Sequence, residues 1–472
     1  MKKFVLPLAA VALVSLLSLG VSGSMPQDAE AQTARPNFVF ILADDMRKDD
    51  LQYMPKTRAV LKSKGMSFQR AFVSNPACCP ARATIMRGQY SHNSGVMNNM
   101  NGKHGGWEAY KRYGNEKRNV ATRLNRAGYR TGLIGKYING YNGSKVPVGW
   151  DKWFARWNDG SGGYFNYDVN DNGTRRHYGA QDSDYATDVL SRETRAFIDS
   201  SVAARKPFFA YVAPKAPHEP ATPALRDEHT YDGLNASRPP SFNEKNISDK
   251  PPWVRNLSRL SDADRARIDR RHERRAESLQ ALDDLVAGVV NTIKNKGVMG
   301  KTYIFFTSDN GWNEGEHRIP SGKQRPYEED IHMPLLVRGP GIAAGSVTSH
   351  KMVLNTDYFP TIMDLAGIRK PDYVDGRSLR RILKGNRTPT WRTAILLEGG
   401  RLHSPSFSGI RTSDRKYVAY DGGKKELYNL GRDPYELHNR HPAAKPRPWQ
   451  VSRLRALKNC SGAGCQAAEN GR

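Results

Sequence analysis

An α/β fold with a mostly parallel sheet sandwiched by helices is predicted by three features of this 472-residue chain. From Asn37 to about Gly385, short apolar runs alternate with amphipathic segments. The runs have strand length and are apolar throughout, as parallel strands buried on both faces must be. Each run stops at charged or reactive residues, and open α/β sheets bind ligands outside the carboxyl ends of their strands.

The elements follow in order. Lys2 and Lys3 precede the apolar stretch Phe4 to Val21, and small and polar residues lead to Ala29-Glu30-Ala31. This is the layout of an export signal over residues 1–31, with an uncleaved anchor as the alternative. It predicts a secreted or periplasmic protein with no stable membrane insertion after cleavage. Asn37–Leu42 reads as a strand ending at Asp44-Asp45. Ala71–Val73 leads into Cys78-Cys79-Pro80-Ala81-Arg82, where Pro80 suits an early helical position and Gly88 a stop. Thr131–Gly135 ends at Lys136, Pro207–Ala213 ends shortly before His218, and Tyr303–Thr307 ends at Asp309-Asn310.

Helices are predicted over Tyr185–Ser200, Ala276–Ile293 and Asn355–Ala366 from the spacing of their apolar residues. Trp150–Gly179, rich in Gly, Asn, Asp and aromatics, reads as loop with short hairpins. Glu219–Arg275 is Pro-rich and then densely charged, and reads as a rim over the site. Beyond Asn386, the runs Ala394–Leu397, Lys416–Ala419 and Glu426–Tyr428 predict an antiparallel sheet, followed by a helix over Pro448–Lys458. The expected division is a catalytic domain over 36–385 and a smaller α+β subdomain over 386–472. In an exported protein, Cys460 and Cys465 are expected to close a disulfide. Cys78 and Cys79 are adjacent, and vicinal pairing is strained.

Composition narrows the function. A chain with 38% hydrophobic and 25% charged residues is not disordered. A net charge of +26 attracts polyanions: nucleic acid, anionic lipid or sulfated glycan. No zinc-finger spacing, homeodomain pattern or aromatic-basic RNA motif is present, so nucleic acid is not an expected partner.

The chemistry lies at the strand ends. A lone Asp-Asp pair is more often a turn or a helix cap. A second oxygen pair at an equivalent strand end makes Asp44, Asp45, Asp309 and Asn310 a hard-cation site, suited to Ca²⁺ or Mg²⁺ rather than zinc. A lone cysteine is more often structural. Cys78 stands instead at a helix N-terminus, which favours an anion.

These motifs resemble those of the type I sulfatases. The likeness is carried by CCPARATIMRG (Cys78–Gly88), GYRTGLIGKY (Gly128–Tyr137), ADD near the N-terminus, APHEP (Ala216–Pro220) and SDNG (Ser308–Gly311). Within the family it is nearest the N-acetylglucosamine-6-sulfatase branch, through YSHNSGVMNN (Tyr90–Asn99), YATDVL, DDLV, YEEDIHMPLLVRGPGI (Tyr327–Ile342) and the terminal CSGAGC. The resemblance implies an alkaline-phosphatase-like fold. It implies that Cys78 is oxidised to formylglycine (3-oxoalanine) by a formylglycine-generating enzyme, although Ala81 stands where the family more often has Ser.

The same resemblance implies that residue 78 joins Asp44, Asp45, Asp309 and Asn310 around Ca²⁺, or Mg²⁺. Lys136 and Lys323 would neutralise sulfate, Arg82 would hold residue 78 and its neighbouring carboxylates, and His218 would protonate the departing alcohol. His317 and Asn139 are further substrate-binding candidates, Asn139 standing where many relatives have His. The implied substrate is a sulfated saccharide. The rivals are an aryl sulfatase or a phosphonate or phosphate ester hydrolase of the same superfamily, and a non-catalytic polyanion-binding protein.

Overall fold

The computed structural model describes residues 1–3, 35–157, 163–400 and 403–471. The apolar stretch of the expected export signal lies outside them. Five parallel strands form the centre of a ten-stranded sheet, in the order Thr302–Ser308, Asn37–Ala43, Phe208–Ala213, Arg130–Gly135 and Lys152–Arg156. Every residue of the first three is buried. Alternate side chains enter opposite cores, as a period of two requires. Phe38, Phe40 and Leu42 pack with Leu133, Tyr211 and Phe305 beneath the helices Cys78–Arg87, Val120–Arg126 and Tyr358–Leu365. Val39 and Ile41 pack with Ile134, Val212 and Phe306 against the helices Ala186–Ala203 and Asp262–Asn295.

Register sets up the site. Ala43 lies opposite Ser308, Ile41 opposite Val212, and Gly135 opposite Ala213. The next residues, Asp44, Asp309 and Lys136, therefore emerge side by side.

Four sequence expectations are corrected. Ala71–Phe72 does not join the large sheet; it lies between His332–Met333 and Val353–Leu354 in a three-stranded one. Phe72 and Val73 pack under the C-terminal sheet with Leu396 and Leu397, which draws the segment away from the main strands. Within Trp150–Gly179 the expected short hairpin is present, as Tyr167–Asp171 and Thr174–Tyr178, but together with the strand Lys152–Arg156 it extends the large sheet instead of standing in a loop. The two hairpin strands are joined by Asn172-Gly173, both at positive φ, a turn signal present in the sequence.

The third correction concerns the rim. The long helix begins at Asp262, fourteen residues before the expected start. Its N-terminal part is charged on several sides and lacks apolar periodicity. It is started by a reciprocal cap between Ser261 and Asp264. The fourth is an unexpected strand, Phe407–Thr412, in the four-stranded antiparallel sheet Ala394–Gly399, Phe407–Thr412, Arg415–Tyr420 and Lys425–Asn429. Two helices follow, Pro448–Lys458 and Ala463–Asn470, and Cys460 and Cys465 are disulfide-bonded. No helix among the described residues is long and apolar enough to cross a membrane.

Tyr90–Asn93 fastens the C-terminal elements to the large sheet. Tyr90 Oη donates to Glu469 at 2.6 Å, and the Asn93 amide donates to the Cys460 carbonyl at 2.9 Å. The two ring nitrogens of His92 face the Glu398 carboxylate at 3.0 Å and the Cys460 carbonyl at 3.1 Å. Both neighbours are acceptors, so the doubly protonated ring is favoured. Burial opposes that charge, but Glu398 overrides it and raises the His92 pKa. A raised histidine adds stability below its unfolded value of about 6.5, lost as pH rises through the folded value. The urea midpoint should therefore fall with rising pH through this window. His92→Gln should flatten that part of the profile and cost about 1–3 kcal/mol at the acid end. Parallel pH profiles for the two proteins would exclude this account.

Candidate active site

The helix Cys78–Arg87 is buried along its whole length. Ala77 precedes it in extended conformation, with no side-chain cap. The N–H of Cys79 is taken by Asn99 Oδ1 at 2.8 Å, and Gly88 ends the helix at φ 65°. This places Cys78 against the emerging strand ends. Its Sγ donates to Asp44 Oδ1 at 3.4 Å, lies 3.8 Å from Asp45 Oδ1 and accepts from Lys323 Nζ at 2.7 Å. Burial and the Asp44 charge push the thiol pKa up, so the unmodified sulfur is a poor nucleophile here.

Asp44, Asp45 and Asp309 are 1%, 0% and 0% exposed, and such anions require compensation. Lys136 Nζ donates to Asp44 Oδ2 at 2.5 Å, and Lys323 Nζ donates to Asp45 Oδ1. Arg82 Nε donates to Asp309 Oδ2 at 2.8 Å, with Nη2 lying 3.6 Å from Asp44. Burial raises the pKa of Asp44 and Asp45, but these cations override it and both end below the usual carboxylate range. Asp309 is pushed up to about 6 by burial and by Asp44.

Two oxygens escape this compensation. Asp45 Oδ2 and Asn310 Oδ1 are buried without a hydrogen-bond partner. Asn310 Nδ2 donates to Asp45 Oδ1 at 2.6 Å, which fixes the amide so that its oxygen is free. Asp44, Asp45, Cys78 and His218 can each offer one ligand atom within 4.8 Å of the others. Orphaned hard oxygens beside buried carboxylates fit a divalent cation such as Ca²⁺ or Mg²⁺.

His218 Nε2 lies 3.6 Å from Asp45 Oδ2, and its Nδ1 faces the Glu219 carbonyl at 2.7 Å. Burial pushes its pKa down to about 4, against the pull of Asp45 and Asp44. In the free site the imidazole pKa is therefore well below its ordinary value. Nearby Lys215 is pushed down to about 8 by burial and by Arg156.

The structure thus brings Asp44, Asp45, Cys78, Arg82, Lys136, His218, Asp309, Asn310 and Lys323 together. It gives the other two different neighbours. His317 is fully buried, with Nδ1 at 2.6 Å from Glu244 Oε2 and its ring centroid 4.4 Å from that of Tyr327. The Asn139 carbonyl accepts from Trp107 N at 2.8 Å, and its side-chain oxygen has no hydrogen-bond partner.

Sequence reasoning missed two further groups. Arg275 is 1% exposed and donates to the Asp45 carbonyl at 2.7 Å and to Asp50 at 2.8 Å. It thereby steadies Asp45, whose φ is 65°. Arg325 is 7% exposed, with Nε and Nη1 unpartnered. Neither lies in a motif; Arg275 ends the stretch read as rim, and only its burial marks it.

A family model described as Sulfatase matches residues 36–368, and one described as N-sulphoglucosamine sulphohydrolase, C-terminal, matches residues 315–456. The chain is 32% identical to human N-acetylglucosamine-6-sulfatase, covering 98% of this chain and 91% of that one. It is 36% identical to a Drosophila melanogaster extracellular sulfatase SULF-1 homolog over 78% of this chain and 33% of the relative. The chain spans about half or less of the length of the SULF-1 relatives it matches. A solved structure in complex with its substrate D-glucosamine-2-N,6-O-disulfate superposes with a TM-score of 0.76, at 23% identity, over 93% of this chain and 99% of that one. At that identity it shows the shared fold.

The two orphaned oxygens yield a prediction. After chelation, Ca²⁺ at a hundredfold excess over its Kd should stabilise the protein by about 2.7 kcal/mol, read as a rise in Tm. Asp45→Asn should abolish most of that rise. An equal rise in the variant would place the ion elsewhere.

Proposed function

The chain belongs to the sulfatase family, and from that premise we propose that it is an exported hydrolase of sulfate monoesters. Its substrate on this reading is the 6-O-sulfate of N-acetylglucosamine-type sugars in a sulfated glycan. The observation that carries it is the meeting of Cys78 Sγ with Asp44 and Lys323 inside a cage of buried oxygens. The near full-length match to human N-acetylglucosamine-6-sulfatase supports the choice of sugar. The Lys2-Lys3 start and the following apolar stretch support export.

Cys78 Sγ marks where the oxygens of a formylglycine side chain would stand. Converted and hydrated, that residue would supply the hydroxyl that attacks sulfur, and a cation held by Asp44, Asp45, Asp309 and Asn310 would polarise the sulfate. Lys323 and Lys136 bring two positive charges to the same point, where the transferring sulfate carries negative charge. Burial lowers the pKa of both lysines, yet the surrounding carboxylates overcome it and keep both protonated. Arg82 holds Asp309 and Asp44 in place and donates to the Lys136 carbonyl at 3.0 Å. His218 is the side chain poised to give a proton to the leaving alcohol. Burial pushes its pKa down to about 4 in the free site, and the negative charge of a bound sulfate would raise it. The Tyr164 hydroxyl holds the His218 carbonyl at 2.8 Å.

The decisive experiment is turnover on a panel: N-acetylglucosamine-6-sulfate, glucosamine-N-sulfate, an aryl sulfate and an aryl phosphonate ester. The 6-sulfate should give the highest kcat/KM. Cys78→Ala should lower kcat by about three orders of magnitude or more. Lys136→Met should lower kcat about 10²–10³-fold with a smaller change in KM. Mass spectrometry of the residue 78 peptide should show formylglycine in active preparations. Full activity in Cys78→Ala, or faster phosphonate turnover, would overturn the reading.

A further inference from the structure

Three adjoining cavities run along the outer edge of the ten-stranded sheet, and their walls carry one sign of charge. The first, about 310 Å³, is lined by Lys48, Arg58 and Lys62 beside the strand Leu335–Arg338. The second, about 510 Å³, shares Arg58, Lys62 and Ser67 with the first and reaches Val347. The third, about 950 Å³, meets the second at Val347 and lies on the other face of the sheet, beside Met66 and Ile382, where Lys351, Arg381 and Arg387 line it, so that the three together wrap the exposed edge strand as a trough. Among the described residues, six cations line the trough, and no carboxylate does.

These cations are also unpaired. Among the described residues, none of the six forms an ion pair with a carboxylate. Lys48 donates to the Gln69 carbonyl at 2.9 Å, Lys351 to the Thr388 carbonyl at 3.1 Å, and Arg381 to the Arg387 carbonyl at 2.9 Å. The contrast with adjacent sequence is direct: Arg380 pairs with Asp364 at 3.0 Å, while Arg381 turns to the trough. Like charges gathered around both faces of one sheet edge create a field that an anionic chain relieves. The trough is open, because among the described residues the edge strand Ser346–Thr348 pairs only with Met66–Phe68, and Val347 is 55% exposed. One end begins at Lys48, three residues beyond Asp45.

We propose that this trough is an exosite for a sulfated glycan chain, holding one stretch of polymer while another enters the catalytic pocket. The inference rests on the reading of the substrate as a sulfated glycan. Among the described residues, Phe68 is the only aromatic side chain in the three linings, whereas single-stranded nucleic acid is held by several stacking aromatics. Sulfate groups spaced along a polymer match a row of separated lysines and arginines and need no stacking surface.

The test combines Arg58→Gln, Lys62→Gln, Arg381→Gln and Arg387→Gln, in cavities whose linings contain none of the catalytic cluster. Binding to immobilised heparin oligosaccharide is measured with Cys78→Ala as the parent, so that no turnover intervenes. The quadruple variant should bind about tenfold more weakly at low salt, with the difference vanishing near 1 M salt. In the active protein, the same four changes should raise KM for a sulfated polymer and leave kcat unchanged. Both parameters for an aryl sulfate should also stay the same. Unchanged heparin affinity alongside intact ester turnover would eliminate the exosite alone. An equal rise in KM for polymer and aryl sulfate would also eliminate it, by tracing the effect to the pocket. Heparin binding lost in the variant of a protein that hydrolyses no sulfate ester would support the exosite and refute the proposed function.

Discussion

Three carboxylates buried in one pocket are the constraint on which the rest of this structure depends. Each costs several kcal/mol to remove from water unless a positive group comes with it. Lys136, Lys323 and Arg82 provide that compensation from three separate segments, and each is buried or nearly so. Removing any one cation would leave an uncompensated anion beside the others. The parallel register of the central strands is therefore more than a packing solution. It brings Asp44 and Asp309 out in line, with Lys136 one strand beyond the next, close enough for the charges to cancel.

A second buried ionic network stands behind the first. Arg275 bridges the Asp45 carbonyl, Asp50 and Glu314. Glu314 accepts from His272 at 2.8 Å, and Arg47 joins Asp49 and Glu316. The His272 charge and hydrogen bond hold Glu314 down to about 2, against the effect of burial. These residues touch no reacting atom. They hold the backbone after the first strand in the unusual conformation that points two adjacent carboxylates into one pocket. The long helix supplies Arg275 and His272, so a segment read from sequence as rim instead forms the support beneath the site.

Much of the fold was legible because burial on both faces leaves an unmistakable pattern. The runs beginning at Asn37, Thr131, Pro207 and Tyr303 became central strands within a residue or two of their expected limits. The pattern failed where elements are half-solvated. The hairpin Tyr167–Tyr178 was expected as a hairpin, but its charged exposed strand hid that it extends the large sheet, and the first part of the long helix is held by its cap and local ion pairs. The short strand Ala71–Phe72 was recognisable, but its sheet was not, since two residues do not specify a partner.

By itself the sequence determined which residues have the chemistry of the site: paired hard oxygens, a thiol at a helix start, and lysines and a histidine after strands. Residue type and position along an element are local properties, and they survive without a fold. Only the tertiary structure decided which of these groups meet. It joined Lys323 to Cys78 across 245 positions and gave His317 to Glu244. It also turned His218 from an ordinary imidazole into a strongly depressed one. Distance and dielectric arise from packing between segments remote in the chain, so no local pattern can encode them.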